Sequence, residues 1–328
     1  MTSRGPRSSE TAATETAASE MSAHAVPARD KPSHHAPPQI TQRAADQPLS
    51  IPGLRIGTSA FTAAGWSGSF YPPELKPKDY LPFYATKFSS VEIDSTYYAT
   101  PSPTTVRGWR DKTPDGFLFS AKVPQVVTHD KVLLDCDPEF SEFLGAMKLL
   151  GEKLGPILLQ FPYFNEADMP ASVFIGRLLA FLERLKVRLK GGFNGEAVRF
   201  AVEIRNNTWL NQEFAGLLRE HNVALVLQDQ GWMRRPHELA FDYLTADFTY
   251  VRLLGDRKGI ERQTKTWDKV VVDRSTELRT WVDLCHATVR GGVPTFVYVN
   301  NHYAGHAPAT VAQFLQFWNA TMTGGNED

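Results

Sequence analysis

Two short stretches of the chain space their ionisable residues so that the side chains share one face of an extended backbone. In Ser90–Asp94, Glu92 and Asp94 alternate with Val91 and Ile93; in Arg199–Arg205, Glu203 and Arg205 alternate with Val202 and Ile204. Side chains of a strand point to opposite faces in turn, so an apolar face committed to packing sends each polar pair the other way. The same parity puts Lys122 opposite Phe117, Phe119 and Ala121, and places Gln160, Arg252, Asn300 and Ser59 on the polar face at the ends of their own runs. Carboxylates and cations gathered out of water shift one another's protonation equilibria, which is the requirement for general acid–base chemistry. Glu92 and Glu203 are the expected acid–base pair, with Asp94 setting the state of its neighbour and His129 shuttling protons. Arg205, Arg252 and Lys122 are the expected clamp on an anionic group, because guanidinium donates in a planar, bidentate fork. Gln160 and Asn300 would orient substrate hydroxyls. Asn301, in the loop leading to Pro308, and the rings of Tyr97 and Trp209 complete the expected substrate contacts; the loop itself could offer backbone N–H groups to a phosphate.

Such a convergence needs many strands ending at one place. The chain supplies eight apolar runs: Leu54–Ser59, Ser90–Asp94, Phe117–Val123, Pro156–Phe161, Arg199–Arg205, Val223–Asp229, Phe248–Leu254 and Thr295–Asn300. Helical periodicity fills the gaps, over Pro77–Phe88, Pro103–Lys112, Glu139–Leu150, Val173–Leu189, Gln212–His221, Ser275–Val289 and Pro308–Met322. Eight strands alternating with helices over roughly 270 residues match an α/β fold of the (β/α)8 TIM-barrel type. No GxGxxG follows the first run, which argues against a doubly wound sheet. Every inward polar residue named above ends its strand, and barrel enzymes place their chemistry at that end. The sixth run carries apolar residues on both parities and gives no assignment.

Residues 1–50 hold almost no large aliphatic or aromatic side chains, so the expected domain plan is a disordered tail over 1–50, one barrel over 51–322 and a flexible C-terminus over 323–328. A formal net charge of −1 gives no global attraction to nucleic acid or an acidic membrane. The two cysteines, Cys136 and Cys285, form neither a disulfide framework nor a CxxC pair. No apolar stretch is long enough to span a bilayer, and the N-terminus lacks the apolar region of a secretory signal. These features point to a cytoplasmic protein without membrane attachment, acting on a small anionic ligand. Composition is silent on oligomeric state.

The strand-end segments VEIDSTYYATPSPTTVRGW, FSAKVPQVVTH, GPILLQFP, AVEIRNNTW, YVRLLG and YVNNHYAGHAP, with the opening RIGTSAFTAAGWSGSFYP, resemble the YecE-like family, domain of unknown function 72. The resemblance runs in order from about Leu54 to about Trp318 and implies a TIM barrel without an established reaction. Two positions depart from it: Leu254 and Asn206 stand where the family often carries a histidine.

Two other functions compete. A divalent metal could be held by Glu92, Asp94, Glu203, Asp229, His129 and His302, as in hydrolases and isomerases of the endonuclease IV and xylose isomerase type, but three cations in the same layer would repel it, so no cofactor is expected. A non-catalytic nucleic-acid-binding barrel would use Arg257, Lys258, Arg262, Lys265 and Lys269 around Trp267, although Asp256, Glu261, Asp268 and Asp273 dilute that charge. An acid–base enzyme, a hydrolase or an isomerase, is the favoured expectation.

Overall fold

The computed structural model describes residues 49–193 and 197–323. All eight expected strands form: β1 Leu54–Thr58, β2 Ser90–Ile93, β3 Leu118–Lys122, β4 Leu154–Gln160, β5 Phe200–Glu203, β6 Val223–Gln230, β7 Thr249–Gly255 and β8 Thr295–Val299. They pair in parallel in the order β1-β8-β7-β6-β5-β4-β3-β2. The helices that cover them are α1 Tyr80–Lys87, α2 Pro103–Asp111, α3 Asp137–Met147, α4 Ala171–Arg188, α5 Gln212–Glu220, α6 Arg257–Gln263, α7 Ser275–Arg290, α8 Asn301–Ala304 and α9 Ala307–Thr323. The fold is a (β/α)8 TIM barrel. Between β6 and β7 the connection holds only the short 3-10 turn Pro236–Glu238, matching the lack of a helical pattern there. All but the last two residues of the expected tail lie outside the described residues, as does the C-terminal segment beyond Thr323.

The β1–β2 junction closes the barrel without a backbone ladder. The Ile56 N–H donates to Ser89 Oγ (3.1 Å), the Thr58 N–H donates to Tyr84 Oη (2.8 Å), and Tyr84 Oη donates to the Ser90 carbonyl (3.2 Å). Side chains thus supply the hydrogen bonds that a buried strand edge requires. Gly57 sits at the closest approach, where a Cβ would lie 1.8 Å from the Ser90 oxygen, so this position admits glycine alone.

Strand parity divides the apolar residues into two clusters. The larger, including Val91, Ile93, Phe119, Val202, Leu225, Leu227, Val251 and Val299, lies between the strands and the helices. The smaller fills the lower barrel interior with Leu158, Ala201, Ala224, Val226, Phe248, Tyr250, Phe296 and Tyr298. Above these rings the interior turns polar in steps. Tyr298 Oη meets Ser90 Oγ (2.6 Å) and Ser120 Oγ (2.8 Å), and Tyr250 Oη donates to Glu92 (2.6 Å). The apolar plug fixes the barrel's shape and sets the ionic layer at its C-terminal end.

Candidate functional site at the barrel mouth

Arg252 is the hub of that layer. Its Nη2 and Nε donate to Glu92 Oε1 (2.6 and 3.2 Å), and its Nη1 donates to Glu203 Oε2 (2.7 Å). Tyr250 takes the second oxygen of Glu92, while Arg205 Nη2 lies against the second oxygen of Glu203. Glu92 and Glu203 are both 0% exposed and Arg252 is 3% exposed. The two carboxyls respond to this shared burial in opposite ways. Desolvation outweighs Arg252 at Glu92 and raises its pKa, whereas at Glu203 the same desolvation yields to Arg205 and Arg252, and the carboxyl is held below its usual range.

Closer to solvent stands a second ring. Lys122 Nζ sits 3.4 Å from Asp94 Oδ1 and 3.9 Å above the centre of the Tyr97 ring. Burial lowers the Lys122 pKa; Asp94 works against this and Arg252 with it. The edge of Tyr97 meets His129 at 5.0 Å between ring centres. His129 lies in a π-helical turn, Val126–Asp130, followed by left-handed backbone at Val132, Leu133 and Asp135. For β-branched Val132 that conformation is strained, and strain of this kind persists where surrounding structure holds it. With the Thr128 hydroxyl donating to the Pro124 carbonyl (3.4 Å), its oxygen accepts from His129 Nδ1–H (2.9 Å), leaving Nε2 as the basic nitrogen. Burial and then the charge of Lys122 push His129 down to about 4, so the imidazole is neutral at pH 7. Its contact with Tyr97, the ring that also carries Lys122, places His129 at the mouth.

Several buried polar atoms at these strand ends have no hydrogen-bond partner among the described residues: Ser59 Oγ, Asp94 Oδ1, Arg205 Nε and Gln228 Oε1. Gln228 is the residue that parity could not place. β6 turns Ala224, Val226 and Gln228 inward, with Gln228 level with Arg252 on β7, and sends Asp229 to the helix side. There Asp229 accepts from Arg235 Nε (3.1 Å), Trp281 Nε1 (2.9 Å) and Tyr303 Oη (3.2 Å).

The other expected site residues are placed as follows. Gln160 turns its amide back on the Phe161 carbonyl. Asn300 accepts from the His302 N–H (3.0 Å) and lies 2.7 Å from His302 Nδ1, capping α8. Asn301 accepts from Trp66 Nε1 (3.2 Å) and the Ala307 N–H (2.9 Å), which caps α9. Trp209, expected as a pocket wall, is a core residue stacked on Phe164 and Phe174, because the turn after β5 folds it down between β4 and α4. The loop before α9 is likewise covered: a Cβ on Gly305 would meet the Lys269 oxygen at 2.7 Å, and the Val271 N–H bonds the Ala304 carbonyl. In the long loop after β7, Trp267 packs edge-on against His302 (4.6 Å), and Arg257 pairs with Glu261 (2.8 Å). His302 Nε2 sits 3.1 Å from the same glutamate. Among the described residues no three His, Cys, Asp or Glu side chains gather as a metal-binding set, and no helix is long and apolar enough to cross a membrane.

A family model described as "Protein of unknown function DUF72" matches residues 55–327. The chain belongs to the DUF72 family. The UPF0759 protein YecE of Escherichia coli K12 is 36% identical to this DUF72 protein over 124 residues, 38% of this chain and 40% of that relative. The UPF0759 protein YunF of Bacillus subtilis 168 is 28% identical over 159 residues, 46% of this chain and 51% of that relative. The matched segments therefore span about half or less of these curated relatives. The crystal structure of a DUF72 family protein from Thermotoga maritima superposes with a TM-score of 0.60 at 25% identity, covering 82% of this chain and 99% of that one. A DUF72 structure from Enterococcus faecalis gives 0.58 at 20% identity, covering 81% and 95%. Of the two positions that depart from the family resemblance, Asn206 clasps the loop after β4, accepting from the Phe164 N–H (3.0 Å) and donating to its carbonyl (2.9 Å). Leu254 shares the inward parity of Arg252 and adds an apolar surface to the mouth of this DUF72 barrel.

Proposed function

We propose that this DUF72 protein is an acid–base enzyme that binds a small, hydroxyl-rich substrate through its phosphate or carboxylate at the C-terminal mouth of the barrel. One observation carries the reading: the unpartnered buried atoms at the strand ends, Arg205 Nε foremost, are donors and acceptors already desolvated and unused by the fold. Arg205 is the anion contact, and Ser59, Gln228 and Asn300 are the hydroxyl contacts. The fully buried Glu92 and Glu203 act through Arg252 and Arg205 by fixing their position and charge. Proton transfer belongs to the half-exposed groups, Asp94 and His129 Nε2. Tyr98, Tyr163 and Trp232 are exposed by 81%, 67% and 55% on the loops after β2, β4 and β6, and form a rim suited to sugar or nucleoside rings.

A separate groove of about 470 Å3, lined by Phe61, Lys78, Leu81, Thr105, Trp109 and Lys112, lies between α1 and α2. It holds no carboxylate and no unpartnered buried side chain, so the mouth is the better site.

The test is a thermal-shift series with sugar phosphates, sugar acids and their uncharged parents against wild type and Arg205→Ala. Anionic members are expected to raise the melting temperature of wild type alone, with little change from the neutral parents. Equal shifts in both proteins would remove the anion site from Arg205.

A further inference from the structure

We propose that Lys122 is a nucleophile that forms a Schiff base with a carbonyl substrate, so that the ligand bound at the mouth is an aldehyde or ketone carrying a phosphate or carboxylate. The inference rests on the mouth as the substrate site and adds the reacting group. Lys122 ends β3 with its stem buried and its ammonium held by the Tyr97 ring and by a loose 3.4 Å contact to Asp94. It donates no hydrogen bond within the described residues, although buried lysines ordinarily use their donors. A structural cation would be bonded as Arg252 is, to two carboxylates at once. The groups that act on Lys122 are Asp94, Glu92 and Glu203, which favour its charge, and Arg252, which opposes it. A desolvated amine next to another cation is the environment that frees a lysine for attack on carbonyl carbon. Arg205, with its unused Nε, would hold the substrate's anionic end.

The step balances without a redox partner. Ammonium Nζ first gives a proton to Asp94 or His129 Nε2. The free amine attacks the carbonyl carbon while the C=O π pair moves to oxygen, which takes a proton. The amine then loses its second proton to the same base, and that proton leaves with the hydroxyl as water. The product is a protonated imine plus one water, and its C=N+ can draw the electron pair of an adjacent C–H or C–C bond.

The full chain is incubated with pyruvate, dihydroxyacetone phosphate or uncharged dihydroxyacetone, then reduced with borohydride, which delivers hydride to the imine carbon. Peptide mass mapping locates the secondary amine. Held desolvated at the mouth with its donors unused, Lys122 is expected to be labelled ahead of every surface lysine. Lys122→Arg, which keeps charge and fold, should lose that label. Arg205→Ala should lose it for the two anionic probes and keep it for dihydroxyacetone. A probe-independent arm follows acetic anhydride labelling of each lysine against pH, where Lys122 should react with a midpoint below the surface lysines. A midpoint at or above theirs, or absence of adduct at Lys122 with all three carbonyls, overturns the Schiff base. The anion site then stands or falls separately on its Arg205-dependent thermal shifts. Adduct at Lys122 that ignores Arg205→Ala has the opposite meaning: the amine reacts and the anion site is misplaced.

Discussion

The two ionic rings at the mouth of this barrel both set carboxylates against cations and differ in how far the hydrogen bonds of those charged groups are satisfied. In the lower ring Arg252 spends its donors on Glu92 and Glu203, and Tyr250 completes Glu92. Among the described residues, Lys122 in the upper ring holds Asp94 only loosely and His129 keeps Nε2 free, while Arg205, paired with Glu203 yet partly exposed, leaves Nε unpaired. A buried charge layer with its hydrogen bonds made is a structural element. One that leaves buried donors and acceptors open sacrifices stability, and natural proteins keep such sacrifices where they bind or react. The contrast between the rings, rather than the charge of either, separates scaffold from site.

The largest effect tests the scaffold. Arg252→Met is expected to destabilise the protein by about 3–5 kcal/mol, because it strands two buried carboxyls without their shared cation. Urea unfolding measures it; a loss under about 1 kcal/mol would show the lower ring to be dispensable and dissolve the comparison. Next come the two carboxyls, where Glu203→Gln should cost about 1.5–3 kcal/mol at neutral pH. Their pH dependences should have opposite signs. Glu203, lowered in the folded state, contributes stability that is present above the unfolded carboxylate pKa near 4.5 and is lost as pH falls through its folded value. Glu92, raised in the folded state, contributes stability that is complete below the unfolded pKa near 4.5 and is lost as pH rises through its folded value. Unfolding curves at several pH values should therefore show the gap between wild type and Glu203→Gln widening with pH, and the gap for Glu92→Gln closing. Gaps that move together would mean that both carboxyls titrate in one environment.

Strand number, order of elements and the inward face were legible because parity is a local property. Val91 and Ile93 on one side dictate Glu92 on the other, whatever the rest of the chain does. What parity could not supply was depth and partnership. Glu92 and Asp94 share a face, yet one is fully buried and the other is 39% exposed at its side chain, because β2 ends at Ile93 and the chain turns out of the barrel. Gln228 was hidden by a strand that is apolar on both faces, and only its register with Arg252 reveals it. Tyr250 had a readable signal, being two residues before Arg252 on the same face. Trp209 shows the converse limit: an aromatic in a strand-end loop is indistinguishable from a pocket wall until the loop's direction is known.

The smallest effect is the one that most sharpens the division. Lys122→Met makes nearly the same chemical change as Arg252→Met, replacing a buried cation by an unbranched apolar chain, but on β3 instead of β7. It removes a cation–π contact of about 0.5–2 kcal/mol and an ion pair to a partly exposed aspartate of about 0–1 kcal/mol. Against that it relieves the desolvation of an ammonium with no hydrogen bond to the protein, so the balance should fall within about 1 kcal/mol of wild type, on either side. Asp94, reachable by water, is not stranded by the change. Urea unfolding of the two variants side by side should thus give a difference of several kcal/mol for one formal substitution. If Lys122→Met were as damaging as Arg252→Met, the upper ring would be a second structural layer, and its open donors would no longer point to a ligand.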